Sequence, residues 1–133
     1  MERGVTVDST GLSRSLGAFY NGVKGVTDIL AVAGSGLCLA AITQLQQDEV
    51  DRIAANLSML NALTTAAAQY LGGHAVLNTA VQSKGGYLVT MKVNEQLFLA
   101  VFADPSCDIG QIVHELCRLC EYLATAFASQ VER

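Results

Sequence analysis

The residues that could do chemistry gather near the end of the chain. Cys117-Arg118-Leu119-Cys120 is a C-x-x-C, and His114 lies just before it. A dithiol of this spacing does redox work when its first cysteine sits at a helix N-terminus, where the dipole lowers the thiol pKa. Here the pair falls well inside a periodic segment. A metal ion needs convergent ligands, and on a helix His114 and Cys120 point roughly 120° apart. Cys117 and Cys120 both fall on the apolar stripe of that segment, so they read as buried small hydrophobes. Cys38 reads as core filler on a strand. Cys107, in a loop, is expected to be the most accessible thiol. His74 follows Gly72-Gly73 and reads as a turn histidine. Gly34-Ser35-Gly36 is not a phosphate loop: no Gly-Lys-Ser/Thr follows it, and a hydrophobic strand comes next rather than a helix. No Ser–His–acid set, carboxylate pair or metal-binding helix assembles from what remains. Lys84, Lys92, Glu95, Arg118 and Glu121 read as scattered surface charges. The chain is therefore expected to be non-enzymatic, with no cofactor and no metal.

Composition narrows the alternatives. The chain has 133 residues, which suits one domain over 1–133 with 1–9 flexible, and it is large enough for a core without staples. Hydrophobic residues make up 51 % and charged residues 15 %, which favours burial between copies. Eight Lys and Arg against twelve Asp and Glu leave a net charge of −4 and no basic cluster. Nucleic acid and anionic membrane surfaces are therefore not expected as ligands. MERGVTVDSTG has no apolar core for a signal peptide. Four cysteines without extracellular spacing read as reduced thiols in the cytoplasm, which makes the Asn56-Leu57-Ser58 sequon irrelevant.

The segment most informative about partners is IAANLSMLNALTTAAAQYL, Ile53 to Leu71, which carries no charge. Its length invites a membrane-spanning reading, but Asn56, Ser58, Asn61, Thr64, Thr65 and Gln69 are too many polar groups for direct insertion. On a helix it has two apolar stripes rather than one. Ile53, Leu57, Leu60, Thr64 and Leu71 form a core line. Met59, Ala62, Leu63, Ala66 and Tyr70 form a second line roughly 120° away. A single core needs one stripe, so the second is expected to meet another copy of the chain or a different protein. The half-polar strand that follows, with Val76, Asn78 and Ala80, suits a sheet edge that recruits a further strand. These eight residues are the expected dimer or partner interface.

The elements that position these residues follow from periodicity. Thr10 to Lys24 predicts an amphipathic helix buried through Leu12, Leu16, Phe19, Tyr20 and Val23. Val26–Ala33 and Leu37–Ile42 predict two strands joined by the glycine turn. After a connector, Asp48 is expected to cap the long helix, and Gly72-Gly73 to end it. Three strands follow: Ala75–Ser83, Tyr87–Val93 and Gln96–Ala103. The last is apolar on both faces and should be central. Asp108 is expected to cap a final helix, with Gln111 completing a capping box. That helix should bury Ile109, Ile112, Val113, Leu116, Cys117, Cys120, Leu123, Ala124 and Phe127. The order is helix-strand-strand-helix-strand-strand-strand-helix. It predicts an α/β fold, a three-layer α/β/α sandwich around a five-stranded antiparallel sheet.

AVAGSGLCLAA, the small-residue helix with its GG end, KGGYLVTMKV and LFLAVFA together resemble the Roadblock/dynein light chain family over nearly the whole chain. The ending DPSCDIGQIVHELCRLCEYLA is similar to the actinobacterial branch, whose members are encoded with a sensor histidine-kinase-like protein and a small Ras-like GTPase. Ser35 departs from the acidic residue that many members carry before the turn glycine. The resemblance implies a homodimer in which the third strand pairs with its symmetry mate and the two middle helices lie antiparallel on one face. In MglB-like bacterial members that face docks a Ras-like GTPase and activates it by repositioning the GTPase's own residues. Eukaryotic members are adaptor subunits. The expected partners are thus a second copy, a small Ras-like GTPase and a sensor histidine-kinase-like protein, in the cytoplasm, with any membrane recruitment supplied by a partner. A small-molecule sensor domain is the alternative and would need a large internal cavity. A thiol redox protein, resting on the C-x-x-C alone, is the third.

Overall fold

Alternation along two strands sets the architecture of the computed structural model, which describes residues 9–131. In β1 (Val26–Ala33) and β5 (Leu97–Ala103), Ile29, Ala31, Leu99 and Val101 face one side of the sheet. Leu30, Val32, Phe98 and Ala100 face the other. All eight are buried. Strands that are apolar on both faces must be covered on both, and helices supply the cover. α1 (Ser9–Gly22) and α3 (Ile109–Val131) bury one face with Leu12, Leu16, Phe19, Ile112, Leu116 and Leu123. α2 (Gln47–Ala67) covers part of the other with Val50, Ala54 and Leu57.

The sheet is five-stranded and antiparallel in the order β2-β1-β5-β4-β3, with β2 spanning Cys38–Ile42, β3 Asn78–Ser83 and β4 Gly86–Asn94. The expected three-layer sandwich is therefore what forms, and β5 is the central strand. One short element is added to the expected order: a 3-10 turn, Ala68–Leu71, that finishes α2. The expectation of flexibility for 1–9 falls on residues outside those described, except that Ser9 opens α1. Phe127 also lies outside the described side chains.

Local chemistry corrects several boundaries. α2 begins one residue before Asp48, and its N-cap is Gln46, not Asp48. The Glu49 carboxylate accepts the Gln46 backbone N–H at 3.1 Å, the reciprocal half of a capping box. Asp48 instead sits in the first turn, where a carboxylate favours the positive end of the dipole. The cap on α3 is as expected: Asp108 Oδ1 accepts the Gln111 N–H at 3.2 Å. β2 and β5 each begin one residue later than expected, and β3 begins at Asn78 rather than Ala75. The β4–β5 turn is Glu95-Gln96, since Asn94 already pairs with Leu97. The turn between β3 and β4 depends on Gly86, whose φ is +141°. A Cβ there would strike the Ala103 carbonyl oxygen of the neighbouring strand.

Candidate functional site

The sheet has two edges, and they are unlike. In β2, Cys38, Leu39 and Ala40 are buried, and Ala41 and Ile42 are half-buried. In β3, every residue but Thr79 is exposed. Pairing to β4 uses one side of β3, and its other backbone edge faces outward. The register puts Asn78 opposite Met91 and Ala80 opposite Val89, on the α1/α3 side of the sheet. Thr79 and Val81 lie opposite Thr90 and Leu88, on the α2 side. Leu77 precedes the strand and is 71 % exposed.

α2 covers β1 and β2 with its first half and leaves the β3–β4 side open. Two contacts hold that first half against the β1–β2 turn. Ser58 Oγ donates to the Gly34 carbonyl at 3.1 Å, and Gly36, in the left-handed region at φ +96°, lies against Ala55 and Ser58. The glycine turn thus seats a helix, a structural job unlike that of a phosphate loop. Beyond Leu57 no residue of α2 is buried. An open cleft of about 590 Å³ lies between the second half of α2 and the sheet. Ser58, Asn61, Ala62 and Thr65 form its helix wall, Val76, Leu77 and Asn78 its outer wall, and Thr90, Lys92 and Phe98 its floor. Thr90, the one buried polar side chain among the described residues, donates to Asn61 Oδ1 at 3.5 Å. Lys92 Nζ pairs with Glu95 at 2.8 Å. A second open hollow of about 610 Å³, lined by Ala67, Leu71, His74, Val76 and Leu77, adjoins the end of the helix.

The eight expected interface residues therefore take different directions. Ala62, Val76 and Asn78 line the cleft. Met59 and Leu63 stand on the outer surface of α2, and Tyr70 in the 3-10 turn that finishes it, 58 %, 69 % and 95 % exposed. Ala66 is exposed beside them. Ala80 lies on the far side of the sheet edge. The expected core line holds for Leu57, which is buried, and for Ile53 and Leu60, which are partly buried. It fails at Leu71, which is 79 % exposed. Sequence reasoning missed Val50 and Ala54, which carry the buried side of α2.

The C-x-x-C is split by the surface. Cys120 is buried and its Sγ lies 3.9 Å from the Met91 carbonyl. Burial, then Cys117 and Glu121, push its thiol up to about 12. Cys117 is exposed, contrary to expectation, with its Sγ 3.9 Å from the Glu121 carboxylate. Cys38 is buried, as expected. Cys107 is only half-exposed, and its thiol is raised by desolvation and by Asp104. His74 is exposed in the turn after Gly73. No group of His, Cys, Asp and Glu suited to a metal ion occurs among the described residues. No helix among them is long and apolar enough to cross a membrane.

The profile of the Roadblock/LC7 domain matches residues 16–103, from the first helix through β5. The chain belongs to the Roadblock/LC7 family. Solved Roadblock structures extend the likeness over α3 as well. The Roadblock/LC7 domain from Streptomyces avermitilis is 21 % identical with a TM-score of 0.80, over 87 % of this chain and 97 % of that one. Myxococcus xanthus MglB is 16 % identical with a TM-score of 0.87, over 100 % of this chain and 97 % of that one. The gliding protein MglB from Thermus thermophilus is 20 % identical with a TM-score of 0.78, over 94 % of this chain and 93 % of that one. At these identities the likeness shows a shared Roadblock fold. No curated protein sequence matches the chain.

Proposed function

We propose that this Roadblock chain works as a homodimer that regulates or scaffolds a small Ras-like GTPase in a signalling module. It acts on the partner's site and carries no catalytic group of its own. The observation that carries the reading is the coincidence of two open surfaces on one side of the molecule. The outward edge of β3 lies at the end of the sheet, and the half of α2 nearest it buries no residue fully and stands over an open cleft. An open edge pairs readily with a second strand, and its own copy is the partner always present. The overlap with MglB across the whole chain supports a GTPase as the further partner. The ending after Cys107 favours the branch that works with a sensor histidine-kinase-like protein, in the cytoplasm and recruited to membranes by a partner.

The experiment has two parts. Sedimentation of the purified chain at micromolar concentration should give a dimer. Calorimetry with the Ras-like GTPase encoded nearest its gene should show one nucleotide state bound roughly tenfold or more tightly than the other, since a regulator shifts states only through differential affinity. Equal affinity for both states reduces the role to a scaffold. No binding in either state removes the GTPase from the reading.

A further inference from the structure

We infer that the open cleft between α2 and the sheet is a binding site for a small organic monocarboxylate, whose carboxylate takes the place of Glu95 on Lys92. Every residue of the site belongs to one chain, so it stands or falls apart from the proposed pairing through β3.

The sheet face beneath α2 changes character from strand to strand. In β1 and β5 it is apolar, with Leu30, Val32, Phe98 and Ala100 buried. In β4 the same face reads Leu88, Thr90, Lys92, because these residues lie opposite Phe102, Ala100 and Phe98. A lysine on the helix-facing side of a sheet loses hydration unless a polar partner or water meets it. The helix answers with polar groups of its own. Ser58, Asn61 and Thr65 follow one line at helical spacing and wall the cleft from above. Two polar faces thus look at each other across about 590 Å³ of open space, a volume in the range of small-molecule sites. Apolar faces in the same place would gain by closing on each other.

Charge sets the class of ligand. Among the residues that line the cleft, Lys92 is the sole cation and Glu95 the sole carboxylate. They are unequally placed. The Lys92 side chain is 28 % exposed, whereas that of Glu95 is 87 % exposed. Their contact at 2.8 Å is a surface ion pair, of the kind that contributes little to stability. A carboxylate entering the cleft can replace Glu95 there, and Glu95 loses little by turning to water. The remaining groups complement an organic body. Asn61 Oδ1 already accepts from Thr90, which leaves the Asn61 amide NH2 to donate inward. Asn78 supplies a second carboxamide from the outer wall, and Phe98 an apolar floor. One lysine balances one negative charge. A phosphate monoester, nearly doubly charged at neutral pH, would be left half-neutralised.

The probe is N-acetyl-leucine, which carries one carboxylate, one amide and an apolar body. Titrated into the parent at millimolar concentration, it should shift the backbone amide resonances of Asn61, Thr65, Thr90 and Phe98 and leave those of α3 in place. Lys92→Gln should weaken binding by about tenfold or more, as loss of a charged hydrogen-bond donor does. Glu95→Gln should tighten it by about threefold, because the internal competitor for Lys92 is gone. Melts confirm folding, and the exposed Glu95 carries the test alone if Lys92→Gln unfolds. N-acetyl-leucinamide, the uncharged counterpart, should bind about tenfold more weakly or not at all. Glycerol phosphate should bind no more tightly than the probe. Parental affinity in Lys92→Gln, unchanged or weakened binding in Glu95→Gln, or equal binding of acid and amide overturns the exchange on Lys92. Tighter binding of glycerol phosphate overturns the carboxylate class. Shifts absent from the cleft overturn the site itself, whereas a monomeric parent in sedimentation overturns only the pairing.

Discussion

The two cysteines of the C-x-x-C differ in fate although only two residues separate them. Cys120 points into the α1/α3 core, and Cys117 sits at the rim of the same helix. Helical arithmetic places both on one stripe. A side chain about 90° from the stripe's centre can fall on either side of the surface, and Cys117 falls outside it. A thiol reagent applied to the native protein should label Cys117 first and Cys107 more slowly, because desolvation and Asp104 hold Cys107 protonated. Cys38 and Cys120 should label only on unfolding. Peptide mass spectrometry of a time course reads the order, and early label on Cys120 contradicts it. Cys120 also predicts an alkaline weakness. The unfolded thiol releases its proton near 9.0, while the native one holds it to about 12. Within that window the unfolded state binds fewer protons, so stability falls as pH rises. Below the window the thiol contributes no pH dependence. Thermal melts across it should show a shallower decline for Cys120→Ala than for the parent.

At the scale of elements, α2 shows how much a periodic reading can carry. Its existence, its uncharged second half and its surplus apolar line were legible in Ile53 to Leu71. Which line faces the sheet was less so, because Val50 and Ala54 lie partly among the acids Asp48, Glu49 and Asp51, where burial is not expected. Leu71 left the core line for a geometric reason. It lies in the closing 3-10 turn, Ala68–Leu71, none of whose residues is buried, well past Leu57, the last buried residue of α2. Leu60 is packed against the α2-side core, so Leu60→Asp should lower the melting midpoint and cost about 2 kcal/mol or more through an unpaired, partly buried charge. Leu63→Asp, on the exposed outer side of the helix, should leave that midpoint nearly unchanged. Gly86 tests the β3–β4 corner. Gly86→Ala should destabilise by more than about 1 kcal/mol, since the new methyl meets fixed backbone rather than a side chain that can move aside. An unchanged midpoint in chemical denaturation would show that the corner relaxes.

At the scale of the molecule, the hairpins β1–β2, β3–β4 and β4–β5 follow from turn residues a few positions apart. The β1–β5 ladder, from Val26 opposite Ala103 to Ala33 opposite Leu97, does not. It joins residues far apart in sequence, and only the apolar character of β5 on both faces hinted that a neighbour was needed on each side. The open β3 edge was visible as polar alternation, whereas the cleft beneath the second half of α2 was not, because it depends on where the helix sits over the sheet. If two copies share that region, the melting midpoint should rise with protein concentration, as for any assembly that binds only the folded chain. A midpoint constant over roughly a hundredfold range of concentration argues for an independent monomer.

The inequality of the two sheet edges has a consequence for growth. A sheet open at both ends is a template without a stop: each added chain offers the next one a fresh surface, and the product is a fibre. Here the β2 end is the more covered, with Cys38, Leu39 and Ala40 buried, and the β3 end is the exposed one. Joining two chains at their β3 ends consumes the more open template of each. Crowding such a protein should fill the solution with closed pairs, and leave a third chain only the covered β2 ends to approach.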